Sequence, residues 1–255
     1  MTDEELAFDR VFDFSGRTVL VTGAANGIGL AIAALFAERG ARLALLDKST
    51  HIAEVAKGFG DLTRGWEVDI TDDVGVADTI KSVIKDFGRI DVLINNAGIG
   101  GMAPAELGSA ADWRRIIDVN LSGQYFVARE TGRHMLESGS GRIVMMASQA
   151  AIIALDGHAA YSASKAGLLG MLRCMALEWG GRGVTVNAIS PTVVETQMAE
   201  RDWAGERGRR ARAEIPVGRF ARPREIAYAA LYLASDAAAM INGMNLVVDG
   251  GFTIR

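Results

Sequence analysis

Residues 18–29 read Thr-Val-Leu-Val-Thr-Gly-Ala-Ala-Asn-Gly-Ile-Gly. Thr18–Thr22 is an apolar run of strand length, and Gly23, Gly27 and Gly29 lead from it directly into the helix-period segment Ile28–Arg39. A turn of this kind brings backbone N–H groups and a helix N-terminus against a pyrophosphate, and a Cβ would obstruct the approach. The spacing is G-x-x-x-G-x-G rather than the commoner G-x-G-x-x-G, but the physical requirement is the same. Asn26 and Ile28 lie in the same turn, so Gly23, Asn26, Gly27, Ile28 and Gly29 are the first candidates for binding a dinucleotide.

Outward from this stretch, short runs rich in Val, Ile and Leu alternate with longer helical segments. The spacing predicts strands at Arg42–Leu46, Gly65–Val68, Val92–Asn95, Arg142–Ala147, Val184–Ile189 and Asn245–Val248. It predicts helices over Val74–Phe87, Trp113–Glu137, Tyr161–Trp179 and Pro223–Ala234. Consecutive apolar residues suit strands covered on both faces. The expected fold is therefore α/β: one Rossmann-like, doubly wound parallel sheet of about seven strands flanked by helices. A single domain is expected over residues 17–255, after an extension at 1–16 whose Phe8, Val11, Phe12 and Phe14 dock on the core.

Composition narrows the function. Of the 255 residues, 49% are hydrophobic and 23% charged, as in a globular chain. A net charge of −4 argues against a nucleic-acid or anionic-membrane surface. Cys174 is the single cysteine and cannot form an internal disulfide. The acidic N-terminus lacks the basic and apolar regions of a signal peptide, which makes a cytoplasmic protein the expectation. A small-molecule substrate is expected, with no metal.

In a doubly wound sheet, ligands lie beyond the carboxyl ends of the strands. Asp47 ends the second strand, 24 positions after Gly23. Its carboxylate can accept hydrogen bonds from ribose hydroxyls and would repel a 2′-phosphate, which favours NAD over NADP. Asp69 and Ile70 end the third strand, and Asp69 is either a coenzyme contact or the N-cap of the next helix. Asn95-Asn96-Ala-Gly98 ends the fourth, where the asparagines either face the coenzyme or satisfy a turn.

Tyr161-Ser-Ala-Ser-Lys165 supplies the chemistry. Positions i and i+4 share a helix face, so the ammonium can approach the phenol. A free tyrosine has a pKa of about 10, and lowering it by two to three units needs roughly 3–4 kcal/mol of differential stabilisation. A nearby cation acts in that direction, and Lys165 together with a cationic nicotinamide is expected to supply it. Ser148 ends the fifth strand and can hold a substrate oxygen beside Tyr161. It has no adjacent His–Asp arrangement and is not read as a nucleophile. His158, without an obvious orienting partner, is a pocket-lining residue at most.

Together these motifs resemble the short-chain dehydrogenase/reductase family over almost the whole chain after residue 16. Thr22–Gly29 matches its T-G-x-x-x-G-I-G, Asn95–Gly98 its N-N-A-G, and Tyr161–Lys165 its Y-x-x-x-K. The resemblance implies catalytic roles for Asn120, Ser148, Tyr161 and Lys165, with Asn120 holding a relay water in a distorted helix. It also implies nicotinamide contacts from Tyr161, Lys165, Val194 and Thr196. Where the family usually has Pro-Gly, this chain reads Ser190-Pro-Thr192. That departure, with Trp203 and Ile215-Pro-Val-Gly-Arg219, resembles the carbonyl reductase and L-xylulose reductase subgroup, whose members use NADP.

Residues 195–221 are expected to form a mobile substrate loop. Within it Trp203 either closes the pocket or pins the loop, and Arg201, Arg207, Arg209, Arg210 and Arg212 either bind an acidic substrate or form a solvated face. With Asp47 selecting NAD, the expected activity is oxidation of a small polyol or sugar alcohol, threitol-like, to its ketose. Alternatives are reduction of a 3-oxoacyl thioester or another carbonyl, and a non-catalytic dinucleotide-binding regulator. Enoyl reduction is disfavoured by the short Tyr161–Lys165 spacing. The resemblance further implies a homotetramer built through the helices around Trp113–Glu130 and Tyr161–Trp179 and the last strand.

Overall fold

Thr18–Thr22 is buried at every position, as a strand covered on both faces must be. The computed structural model describes residues 8–255, and the side chains of Phe8, Asp9, Met198, Arg201 and Asp202 lie outside the described residues. The first half runs α1 (Phe8–Val11), β1 (Thr18–Thr22), α2 (Gly27–Glu38), β2 (Arg42–Asp47), α3 (Ile52–Lys57), β3 (Thr63–Glu67), α4 (Asp73–Phe87) and β4 (Val92–Asn95). The second runs α5 (Ala110–Ile117), α6 (Gln124–Ser138), β5 (Gly141–Met146), α7 (Ala159–Gly180), β6 (Val184–Pro191), α8 (Gln197–Asp202), α9 (Gly205–Glu214), α10 (Pro223–Ala234) and β7 (Asn245–Val248).

The seven strands are parallel in the order β3-β2-β1-β4-β5-β6-β7, so the direction of winding reverses between β1 and β4. Alternate residues of each strand serve opposite layers. Val19 and Val21 face a core containing Ile32 and Phe36 of α2 and Ile226 and Ala230 of α10. Leu20 faces the other core, with Val76 and Ile80 of α4, Val127 of α6 and Leu168 and Leu172 of α7. In the N-terminal segment Val11 and Phe14 are buried and Phe12 is partly so. The Phe14 ring meets Phe36 edge-on at 4.8 Å.

Three departures from the sequence reading have local causes. β3 starts at Thr63, opposite Leu43 of β2, two residues earlier than expected. It is only half-buried, so it lacks the apolar run that marks the central strands. The expected helix Trp113–Glu137 is interrupted by a π-helical segment at Asp118–Gly123, which separates α5 from α6. The expected loop at 195–221 contains two helices, α8 and α9. α9 is strongly polar and has one buried residue, Gly208, so no apolar stripe announced it. Among the described residues, no helix is long and apolar enough to cross a membrane, and no cluster of His, Cys, Asp or Glu could hold a metal ion.

Candidate active site

The carboxyl ends of the strands open into a cleft of about 810 Å³. One end is built from backbone. Gly23 and Gly27 adopt φ of +65° and +56°, where a side chain would be strained. A Cβ on Gly23 would lie 2.9 Å from Ala97 Cα, and one on Gly29 would lie 2.1 Å from the Gly23 carbonyl. The loop is thus packed backbone against backbone, which leaves its outer side free for a ligand. Asn96 secures it, donating from Nδ2 to the carbonyls of Thr22 (3.0 Å) and Gly23 (3.2 Å). The Thr22 hydroxyl accepts the N–H groups of Asn96 (2.9 Å) and Ala97 (3.0 Å). Asn95 is fully buried and donates to the Gln124 carbonyl at 2.7 Å, so only Asn96 of the pair lines the cleft.

Gly23, Asn26, Gly27, Ile28, Asp47, Asp69 and Ile70 line this end. Asp47 accepts the Ala25 N–H with Oδ2 and the Ser49 N–H with Oδ1, both at 3.0 Å, which ties the end of β2 to the glycine turn. Asp69 is held by the N–H of Thr71 (2.9 Å) and its hydroxyl (2.8 Å). These bonds keep its carboxyl below the ordinary carboxylate range. The N-cap of α4 is Asp72, which accepts the Gly75 N–H at 3.1 Å; the capping alternative for Asp69 is thereby removed. Val194 and Thr196 close the cleft from the far side, and a Cβ on Gly27 would lie 3.3 Å from Thr196 Cγ2. A glycine cradle, a carboxylate at the second strand end and an elongated cleft fit a dinucleotide.

The other end carries the titratable groups. Ser148 follows β5 and caps a short 3₁₀ turn, its hydroxyl accepting the Ala150 N–H at 3.1 Å. Its own hydrogen remains to donate, and the Tyr161 phenol oxygen is its side-chain partner. Tyr161 stands near the start of α7, and Lys165 Nζ lies 5.8 Å from its ring centroid. Lys165 is buried and donates to the Met146 carbonyl at 2.7 Å. Burial pushes the Tyr161 phenol above its ordinary value, and the Ser148 side chain acts against that shift. Burial also pushes the Lys165 ammonium down to about 7. The lowering expected of Lys165 together with a cationic nicotinamide does not come from the chain's own residues, because desolvation acts on both groups and the lysine loses much of its charge near neutrality.

Asn120 sits in the π-helical segment and is fully buried, so it does not line the cleft. Its Oδ1 accepts the Ile99 N–H (2.8 Å), and its Nδ2 donates to the Ile99 carbonyl (2.9 Å) and the Ser164 hydroxyl (3.2 Å). It fixes the chain just after Gly98, where a Cβ would lie 3.2 Å from Asn120 Oδ1 and 3.4 Å from Lys165 Nζ.

His158 and Trp203 meet over the cleft, their rings nearly parallel with centroids 6.4 Å apart. Contrary to its reading as an unoriented residue, His158 Nδ1 lies 2.7 Å from the Asp156 carbonyl. A carbonyl only accepts, so Nδ1 carries the proton and neutral His158 presents an acceptor at Nε2. Among the arginines expected to bind an acid, Arg209 and Arg210 pair with Glu206, and Arg212 stacks on Phe220. Arg207 stacks on Trp203, with its guanidinium carbon 4.5 Å from the ring centroid.

Two residues that the sequence did not single out as ligands complete the wall. Gln149 Oε1 and Thr192 Oγ1 are buried and lack a hydrogen-bond partner, and both residues line the cleft beside Ser148 and Tyr161. Buried polar atoms are rarely left unpaired. Thr192 stands where glycine is usual in the resembled family, and no non-glycine residue among those described has positive φ, so the threonine is unstrained. Gln149 carries no pattern in sequence beyond adjacency to Ser148.

The chain belongs to the short-chain dehydrogenase/reductase family, whose members use nicotinamide dinucleotides: a family model described as enoyl-(acyl carrier protein) reductase matches residues 23–253. It is similar to D-threitol dehydrogenase of Mycolicibacterium smegmatis, at 51% identity over 99% of this chain and 98% of the relative. NAD-dependent glycerol dehydrogenase of Listeria innocua is 43% identical over 97% and 98% of the two chains. Among solved structures, 3-ketoacyl-(acyl-carrier-protein) reductase from Brucella melitensis complexed with NADH superposes with a TM-score of 0.89, at 32% identity over 94% of this chain and 100% of that one. A crystal structure from Beutenbergia cavernae with bound NADP at low occupancy has a TM-score of 0.91, at 40% identity over 96% and 99%.

Proposed function

We propose that the protein is an NAD-dependent polyol dehydrogenase interconverting a small polyol and its ketose. The observation that carries this reading is the polar lining of the cleft around Ser148 and Tyr161, to which Gln149, Thr192 and His158 contribute. Several polar side chains around one reacting hydroxyl suit a substrate with further hydroxyls, which gain partners there. The similarity to threitol and glycerol dehydrogenases supports the same class. Asp47 supports NAD, because its carboxylate would repel a 2′-phosphate.

Ser148 donates its hydrogen to the reacting oxygen and orients it toward Tyr161. Tyr161 takes the hydroxyl proton in oxidation and returns it in reduction. When bound, a nicotinamide coenzyme would supply the hydride acceptor for oxidation and the hydride donor for reduction. Lys165, with a pKa of about 7, exchanges protons readily near neutrality and passes Tyr161's proton onward. Asn120 holds Ile99 and, as in the resembled family, a relay water. Gly23, Asn26, Gly27, Ile28 and Gly29 hold the pyrophosphate side, Asp47 the ribose, and Asp69, Ile70 and Asn96 the adenosine half. Val194 and Thr196 hold the carboxamide, while His158 and Trp203 cover the substrate. Exposed Trp113, Tyr125, Leu177 and Met244, on or beside α5, α6, α7 and β7, support assembly as a homotetramer, to be checked by light scattering.

The test is a panel of glycerol, D-threitol, larger polyols and 3-oxoacyl thioesters, each assayed with NAD(H) and NADP(H). NAD-linked oxidation of a small polyol is expected. Turnover confined to thioesters with NADPH would make the protein a biosynthetic reductase. Tight NAD binding without any turnover would make it a regulator.

A further inference from the structure

The segment Asn95–Ile99, which leaves β4, serves both ends of the cleft. Asn96, Ala97, Gly98 and Ile99 line the cleft, the glycine turn packs on Ala97, and Lys165 approaches Gly98. Two amides four positions apart hold this segment from its buried side. Asn120 binds both backbone polar groups of Ile99. Gln124, the first residue of α6, takes the other end. Its Nε2 donates to the Ala97 carbonyl at 2.9 Å, and its own carbonyl accepts Asn95 Nδ2 at 2.7 Å.

No sequence motif marks Gln124, and it does not line the cleft. It is nevertheless fully buried, and its Oε1 has no hydrogen-bond partner. A glutamine enclosed in this way loses water at both ends of its amide and regains one bond. As core filling it is a poor choice, since methionine or leucine occupies about the same volume without that loss. What the amide does supply is a donor at one point, the Ala97 carbonyl. Movement of Ala97 passes directly to the glycine turn. A Cβ on Gly23 would lie 2.9 Å from Ala97 Cα, and the Thr22 hydroxyl accepts the N–H groups of Asn96 and Ala97.

We propose that Gln124 is a positioning residue for the coenzyme: by holding Ala97 it fixes the end of β4 against the glycine turn, and so fixes the wall that the dinucleotide meets. Asn120 then serves the reacting side of the segment at Ile99, and Gln124 its coenzyme side at Ala97. This role requires the dinucleotide cleft and is independent of the polyol assignment.

The test replaces the amide with an apolar side chain of similar length. Titration of NADH into Gln124→Met, followed by coenzyme fluorescence, should give a Kd about tenfold above that of the wild type, with Tm within a few degrees. KM for NAD should rise with it, by more than kcat falls, on whichever alcohol the wild type oxidises best. Thr131→Val is the control, because Thr131 is buried on the same helix with an unpartnered hydroxyl and does not line the cleft. Its Kd for NADH should stay within about twofold of the wild type. If Gln124→Met does not fold, Gln124→Asn, one methylene too short to reach Ala97, takes its place. An unchanged Kd in the Gln124 variant overturns the inference, as does an equal loss in Thr131→Val or a fall confined to kcat. Tighter binding of NADPH than NADH by the wild type would overturn the reading of Asp47, and the same titrations with NADPH would then decide the role of Gln124. Failure of every polyol as a substrate leaves the titrations, and the inference, standing.

Discussion

At the glycine-turn end of the cleft, the lining follows strand ends: Gly23 follows β1, Asp47 closes β2 and Asn96 follows β4. At the substrate end, the wall comes from the turn at residues 149–158, from Trp203 and α9, and from Phe252 near the C-terminus. The first end is held by backbone packing and by hydrogen bonds from the Asn96 side chain to the Thr22 and Gly23 carbonyls. The second is held by ring stacking and by surface ion pairs such as Arg255–Glu214. One rigid scaffold can thus keep its coenzyme while its substrate wall changes by side-chain replacement.

Several substitutions can break or sharpen that contrast. The largest effect belongs where the two ends meet. Tyr161→Phe should cost about 10²–10⁴-fold in turnover while NAD binding, read by titration, stays within a few-fold. Near-normal turnover would remove Tyr161 from proton transfer. Next comes Asp47→Ala, which removes a charged acceptor worth about 1.5–3 kcal/mol, or about 10–100-fold in kcat/KM for NAD. Its effect should fall on NAD rather than NADP, and equal losses with both coenzymes would show that Asp47 merely braces the turn through Ala25 and Ser49.

At the substrate end, Gln149→Leu should raise KM for a polyol by about tenfold without changing KM for NAD. A change confined to NAD would place Gln149 on the wrong side of the contrast. Stability should respond to pH through Lys165. With its folded value lowered to about 7, the unfolded chain binds more protons between there and the ordinary lysine range. The cost of burying the ionised lysine is fully present below about 7 and shrinks as pH rises. The raised Tyr161 phenol acts oppositely only above its ordinary value of 10.0. Between pH 7 and about 9.5 the urea midpoint of the apo wild type should therefore rise more than that of Lys165→Met. Parallel curves would contradict the burial of a lysine that is largely neutral at the upper end. The smallest effect is expected from Glu206→Gln, since its exposed pairs with Arg209 and Arg210 are worth about 0.3–0.5 kcal/mol each.

The π-helical segment and the helices at 197–214 show where reading periodicity stops; the distortion at Asn120 was implied only by the family resemblance. Trp113–Glu137 has helical character throughout, and nothing in its periodicity marks a wider turn at Asp118–Gly123. The break coincides with Asn120, whose amide is used on Ile99 and Ser164, two elements away in the fold. α9 gains its order from Glu206–Arg pairs and from contact with the small cluster at Ile215, Phe220 and Phe252, which no local apolar stripe reports.

The sequence by itself determined the parallel sheet, the glycine turn, the coenzyme-side carboxylate at Asp47 and the Tyr161–Lys165 pair. Each is encoded within a few consecutive residues, by strand-length apolar runs, by glycine's missing Cβ and by the helical i to i+4 spacing. Tertiary structure alone decided that Gln149 and Thr192 line the same cleft as Ser148 and Tyr161, and that Asp72 rather than Asp69 caps α4. It also decided the protonation of the pair, because desolvation depends on everything packed around Tyr161 and Lys165 and on nothing in the five residues that spell them.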